Sequence, residues 1–345
     1  MKRFFKRAGI LMAILGIGYM AGPRFTFPDE QIRTAPVETD LAKLDRQIAA
    51  SEAKADLKPD NQARIVWADS NRKVRTPYSM VYIPGFAASW AEGDPVHKQL
   101  AKTFGCNLYL GRTYEHGLKS PDAMEHMTPA RYLASAEEAL AIGRALGDKV
   151  IVIGTSAGGM LTLCLAAKHP DLAGIVLYSP CIAVAVPALK LVTGPWGKQI
   201  GQTVLLGNHV VVTKYTPDRA QYWLTQYHIN GFLTLQTMLD TYMTPETFAM
   251  VKQPLFMGYY YKDEEHQDKV VSVAAMQEMY EALGTPAGLK RRQAFPDAGA
   301  HVIASHFTSK SLSAVYQSTK QFLEEVLHLQ PVAPSATKFA LARKK

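Results

Sequence analysis

The sequence predicts an α/β protein built on a mostly parallel, doubly wound sheet. Short β-branched and aromatic runs alternate with helical stretches along most of the 345 residues. One of these runs, Lys149–Ile153 (KVIVI), passes at once through Gly-Thr-Ser-Ala-Gly-Gly into an apolar helix reaching Lys168. Between Ser179 and Pro254 the alternation stops, and helical and aromatic segments take over, which reads as an insertion above the sheet.

The elements follow in chain order. Leu41, Leu44 and Ile48 mark one face of a short helix running to about Lys54, after a polar, Pro-containing linker. Ala63–Ala68 (ARIVWA) and Ser79–Ile83 (SMVYI) are strand runs bounded by turn formers. Asp94-Pro95 starts a helix that passes Leu100 and ends at Gly105, and Asn107–Leu110 is a short strand. Thr128-Pro129 opens the next helix, through Leu133, Ala136, Leu140 and Ile142 to Gly147. After Lys149–Ile153 come strands at Ile175–Ser179, Leu255–Tyr260 and Arg291–Phe295, and a last helix over about Ser311–Leu327. Within the insertion, Ala220–His228 and Phe232–Tyr242 read as helical.

Composition narrows the function. The chain is 48% hydrophobic and 20% charged, which excludes a disordered protein, and its net charge is +8. Residues 1–24 carry Lys2, Arg3, Lys6, Arg7 and Arg24 without an acid, and residues 331–345 carry Lys338, Arg343, Lys344 and Lys345 without one. The remaining body is close to neutral, with no basis for nucleic-acid binding. Three cysteines (Cys106, Cys164, Cys181) with apolar neighbours read as buried hydrophobes, with no metal or redox spacing.

The ends read as an address and a tail. Four cations precede an apolar run from Ala8 to Ala21, the order of an export signal or a signal anchor. The expectation is an N-terminal segment 1–24 that meets the membrane through residues 4–22. That leaves the body outside the cytoplasm (on the periplasmic side in a Gram-negative cell), or secreted if the run is cleaved. Residues 25–58 are linker and short helix, 59–328 the α/β body with its insertion at about 181–253, and 329–345 a basic flexible tail.

The chemistry centres on Gly154-Thr155-Ser156-Ala157-Gly158, which fits G-x-S-x-G between a buried strand and a helix. A serine on such a turn is held with its Oγ exposed, and Gly154 and Gly158 let strand and helix approach closely. A nucleophilic serine needs an oxyanion hole and an oriented base. Strand Ser79–Ile83 ends in Pro84-Gly85-Phe86, so the backbone N–H groups of Phe86 and Ala157 are the expected oxyanion donors. Of ten histidines, His301 stands in the loop after the last strand, where a doubly wound sheet presents ligand-facing residues. His306 lies past that loop, His266 lies among charges, and His116, with Gly85, is a candidate pocket residue. The acid is sought between Ser156 and His301. Asp268, followed by the apolar Val270-Val271 and a helix start, is favoured over Asp263, which sits among solvated charges.

These residues carry a resemblance. Pro84-Gly85-Phe86, Arg112 with His116-Gly117, Gly154–Gly158, Gln267–Val271 and Gly299-Ala300-His301 are similar in kind and order to serine α/β-hydrolases of the monoacylglycerol-lipase/lysophospholipase-like group, over about residues 60–328. The sequence departs from that pattern in two places. Pro84 replaces the usual histidine before the oxyanion glycine, and the loop Tyr259–Gln267 is longer and more charged than the usual Gly-x-x-Asp. The resemblance implies the α/β-hydrolase fold with a helical cap inserted after the sixth strand. It also implies a Ser156–His301–Asp268 triad working through an acyl-enzyme, with no cofactor and no metal. The apolar opening of the cap, Ala183–Val192, suits a small hydrophobic acyl ester such as an acyl-glycerol or lysophospholipid. A serine peptidase of the same fold and a non-catalytic anchored binding protein are the alternatives.

Overall fold

The computed structural model describes residues 2–32, 35–186 and 191–332. The expected tail lies outside the described residues from 333 on, as do residues 187–190 of the cap's apolar opening.

The N-terminal run forms α1 (Lys2–Met20). Its cations stand among the first seven residues, which leaves a short apolar stretch. Among the described residues no helix is long and apolar enough to cross a membrane. A spanning anchor over residues 4–22 is therefore not supported. α2 (Leu41–Glu52) begins at Asp40, whose side chain accepts the N–H groups of Ala42 and Lys43, and it buries Leu41 and Leu44.

The sheet is laid down by β1 (Arg64–Val66), β2 (Thr76–Ile83), β3 (Asn107–Leu110), β4 (Gly147–Thr155) and β5 (Gly174–Tyr178), with β8 (Leu255–Tyr259) and β9 (Lys290–Ala294) added after the insertion. Its order is β1-β3-β2-β4-β5-β8-β9, and every neighbouring pair is parallel except β1 with β3. β4 lies in the middle of this sheet, and its segment Val150–Ile153 is at most 4% exposed. Burying each of these side chains contributes about 1.5–3 kcal/mol.

Period-two alternation splits the core. Val81, Ile83, Val150 and Val152 face α4 (Pro129–Leu146) and α5 (Ala157–Lys168), while Met80, Tyr82, Ile151 and Ile153 face α3 (Val96–Phe104) and α11 (Leu312–Glu325). The sheet is thus covered on both faces, which requires its strands to read as continuous apolar runs.

The insertion contains α6 (Gly197–Val204), β6 (His209–Val211), α7 (Pro217–Tyr222), β7 (Gln226–His228), α8 (Asn230–Tyr242) and α9 (Pro245–Met250). It follows the fifth strand of the chain rather than the sixth that the resemblance implied: one strand, β1, stands before β2, so β5 is the fifth. The helix expected over 220–228 is a correction too: α7 stops at Tyr222, and Gln226–His228 pairs antiparallel with His209–Val211. The cap is stitched to the loop after β2. The Leu224 N–H donates to the Ala87 carbonyl at 2.7 Å, and the Ser89 N–H to the Tyr222 carbonyl at 3.0 Å. After β8, α10 (Val273–Ala282) starts at Ser272, whose hydroxyl accepts the Ala275 N–H.

Candidate active site

Ser156 stands between β4 and α5 with φ 53 and ψ −118. A positive φ on a residue with a side chain costs about 1–3 kcal/mol and persists only where its surroundings over-determine it. Here the Ser156 N–H donates to the Tyr178 carbonyl at 2.9 Å. Its own carbonyl accepts the Cys181 N–H at 2.8 Å and the Gly159 N–H at 2.9 Å. The glycines on either side are there for space. A Cβ on Gly154 would stand 2.3 Å from Thr162 Oγ1, and one on Gly158 would stand 2.0 Å from the Ile83 carbonyl oxygen.

His301 follows Gly299 (φ 69) in the loop after β9. Its Nδ1 lies 2.6 Å from Asp268 Oδ2. Asp268 is 3% exposed, and its other oxygen accepts the Val270 and Val271 N–H groups at 2.8 and 3.1 Å. The carboxylate is thereby aimed, and it selects the tautomer with the proton on Nδ1. Burial alone would push the imidazole down, but the charge and hydrogen bond of Asp268 outweigh it and hold His301 above its ordinary value. His301 Nε2 is buried and, among the described residues, has no hydrogen-bond partner. Asp263 is elsewhere: it is exposed and turned to its neighbour His266, with Oδ1 2.8 Å from Nδ1. His306 is directed to Asp94, 3.2 Å from its carbonyl oxygen.

The loop after β2 completes the site. A Cβ on Gly85 would lie 2.9 Å from Ser156 Cβ, so the backbone that leads into Phe86 passes directly beside the serine. Ala157 is the first residue of α5, where an N–H has no partner within the helix and the macrodipole favours negative charge. The Phe86 ring stacks on Phe232 at 5.4 Å and meets Tyr227 edge-on at 5.4 Å, which brings the cap over this loop. His116 lies behind Phe86, fully buried, stacked on Tyr132 at 5.5 Å and with Nδ1 2.9 Å from the Tyr114 carbonyl. Burial pushes its pKa down to about 4, which keeps it neutral at physiological pH.

A cavity of about 360 Å³ between cap and body is lined by Ile182, Leu239, Met243, Phe248 and Met279 among others, and by none of Ser156, His301, Asp268, Phe86 and Ala157. A larger cavity of about 650 Å³ lies under α2 and holds none of these residues. Sequence reasoning missed one charged group beside the site, Glu92, which is 2% exposed. It sits in no motif, and only the folding of the loop after β2 brings it there. Among the described residues no group of three or more His, Cys, Asp and Glu side chains could hold a metal ion.

A mostly parallel sheet, a strained serine between β4 and α5, and a His–Asp pair on the loops beyond are the features of a hydrolase-type architecture. The family model described as the Alpha/beta hydrolase family matches residues 80–313, and the chain belongs to that family. It is 34% identical over 113 residues to a thermostable monoacylglycerol lipase of Bacillus sp. (strain H-257). The match covers 33% of this chain and 44% of the relative, less than half of that protein's length. Among solved structures, the fold is similar to a chain of the metagenome-derived lipolytic enzymes LipS and LipT, with TM-score 0.63 at 16% identity over 78% of this chain and 99% of that one. It is also similar to a soluble variant of monoglyceride lipase from Saccharomyces cerevisiae, with TM-score 0.58 at 12% identity over 76% and 91% of the two chains.

Proposed function

We propose that this protein is a lipolytic serine hydrolase that cleaves small hydrophobic acyl esters, of the acyl-glycerol or lysophospholipid kind, through Ser156, His301 and Asp268. The observation that carries the reading is the 2.6 Å contact of His301 Nδ1 with the buried Asp268, which leaves Nε2 without a partner among the described residues, in a loop tied through the His301 carbonyl to Ser179, the residue after the Tyr178 that holds the Ser156 N–H. The partial match to a monoacylglycerol lipase supports the ester class.

In this scheme Ser156 Oγ attacks the ester carbonyl carbon and His301 Nε2 takes its proton. The carbonyl oxygen, now an oxyanion, accepts the N–H groups of Phe86 and Ala157. The intermediate collapses, the C–O bond to the alcohol breaks, and the alcohol leaves with the proton from His301. Water then attacks the acyl-enzyme, giving its proton to His301, and the carboxylic acid is released as Ser156 recovers its own. Asp268 stays ionised and holds the imidazolium throughout. The stacked Phe86 and Phe232, over the loop beside Ser156, are the apolar surface against which this reading sets the acyl chain.

Two outcomes are expected. Esterase activity rises with pH as His301 loses its proton, and the midpoint for kcat/KM lies above 6.5 because Asp268 favours the protonated ring. A pH–rate profile with its midpoint below that value contradicts the pairing. Purified protein assayed on p-nitrophenyl esters of short, medium and long acyl chains, alongside aminoacyl-coumarin amides, is expected to prefer the esters. Faster hydrolysis of the amides would assign the site to a peptidase.

A further inference from the structure

Glu92 lies on a single 3-10 turn, Trp90–Gly93, folded back beneath the loop after β2. Its Oε2 accepts the Gly85 N–H at 2.5 Å and the Tyr82 hydroxyl at 3.4 Å. A Cβ on Gly85 would meet the two carboxylate oxygens at 2.8 and 2.9 Å and Ser156 Cβ at 2.9 Å. Gly85 is therefore sandwiched between a buried carboxylate and the serine. Both of these partners of Glu92 are neutral, and among the described residues it has no ion pair, so its charge is solvated by two donors. Removing a carboxylate from water without a counter-ion is costly, and an apolar side chain of similar volume is usually the more stable choice. Stability does not account for the glutamate here. Its contact with Gly85 does.

We propose that Glu92 is a positioning residue of the active site: by holding the Gly85 N–H it fixes the Pro84–Gly85 peptide plane, and with the Ala88 N–H holding the Gly85 carbonyl at 3.2 Å on the other side, the turn at Gly85 is set so that the Phe86 N–H is aimed at the substrate oxyanion. The proposal rests on the hydrolase reading above and adds a residue to it. Gly85 carries no side chain that could fix its own backbone, and Pro84 stands where the resembling hydrolases have a histidine. The glutamate supplies the constraint from outside the loop.

The surroundings also give the contact a pH dependence. Burial raises the Glu92 carboxyl by more than the Gly85 N–H, the charges of His301 and Arg219 and the Tyr82 hydroxyl lower it, and the balance leaves it at about 7. Tyr132 of α4 and Tyr215 before α7 feel its charge, and neither ionises near neutral pH. Above its midpoint the Gly85 N–H donates to a carboxylate, and below it to a neutral acid, a weaker acceptor.

The sequence contains a single Pro-Gly step, Pro84-Gly85. Labelling proline at its carbonyl carbon and glycine at nitrogen therefore isolates one amide signal in a carbonyl-filtered spectrum of the full chain. In wild type the Gly85 proton is expected to shift through a titration centred near pH 7, and E92Q is expected to abolish that shift. In esterase assays E92A is expected to lower kcat at least about tenfold with KM within about threefold, and E92Q, which keeps an acceptor oxygen, to recover part of the loss. If E92A does not fold, the near-isosteric E92Q and the Gly85 signal still decide the matter. An active wild type whose Gly85 signal is flat, or identical in E92Q, overturns the positioning role alone. Wild-type kcat in both variants does the same. A titrating Gly85 signal in a protein without Ser156-dependent activity overturns the hydrolase reading, and this role with it.

Discussion

Ser156→Ala is expected to lower kcat for p-nitrophenyl acyl esters by about 10⁴- to 10⁶-fold, with the protein still folded. The loss follows from the nucleophile being absent while the donors and the cap remain, so only the residual catalysis of binding and oxyanion stabilisation is left. Folding is spared for a specific reason. Among the described residues Ser156 Oγ takes part in no hydrogen bond, so its removal orphans no buried partner. The backbone hydrogen bonds that hold the strained φ belong to the main chain and survive the substitution. The melting temperature is therefore expected within about 2 °C of wild type. A variant that keeps wild-type activity contradicts the assignment; one that loses activity only because it unfolds shows a much lower melting temperature.

Gly158→Ala is expected to act on the fold instead, by about 3 kcal/mol or more. Its added methyl would stand 2.0 Å from the Ile83 carbonyl oxygen and 2.7 Å from that of Pro84. Both are backbone atoms, and no rotamer change relieves the overlap, so α5 must move off β2. That movement also disturbs the Pro84–Phe86 turn, and activity falls together with stability. Thermal unfolding is expected about 6–12 °C lower than wild type. Gly288→Ala is the control: nothing lies within 4 Å of its Cβ, and its melting temperature is expected to hold or rise slightly.

The features legible in the sequence are those whose determinants are close together in the chain. The strand-to-helix turn that carries Ser156 is readable because its strand, its two glycines and its helix are consecutive. The strands of the sheet were readable because burial on both faces leaves continuous apolar runs such as Val150–Ile153. Asp268 could be favoured over Asp263 from the apolar residues after it, which here supply the Val270 and Val271 N–H groups.

What escaped depends on contacts between distant segments. Gln226–His228 has no strand-like periodicity of its own and is a strand only because His209–Val211 pairs with it. The position of the insertion after a sixth strand was implied by the resemblance alone, whereas the strand runs themselves place five strands before it, as found. Glu92 was invisible because its meaning arises where Gly85, Ser156 and the Trp90–Gly93 turn converge. The apolar N-terminal run was visible, but whether it spans a membrane is a matter of length, and α1 is not long and apolar enough.

The central claim is that Ser156 is a nucleophile activated by His301, and covalent labelling tests it most directly. A fluorophosphonate probe, followed by proteolysis and mass spectrometry, is expected to place a single adduct on the peptide containing Ser156. The adduct is expected to vanish in Ser156→Ala and to form far more slowly in His301→Ala. An unlabelled wild-type protein, or an adduct on another residue, would contradict the account.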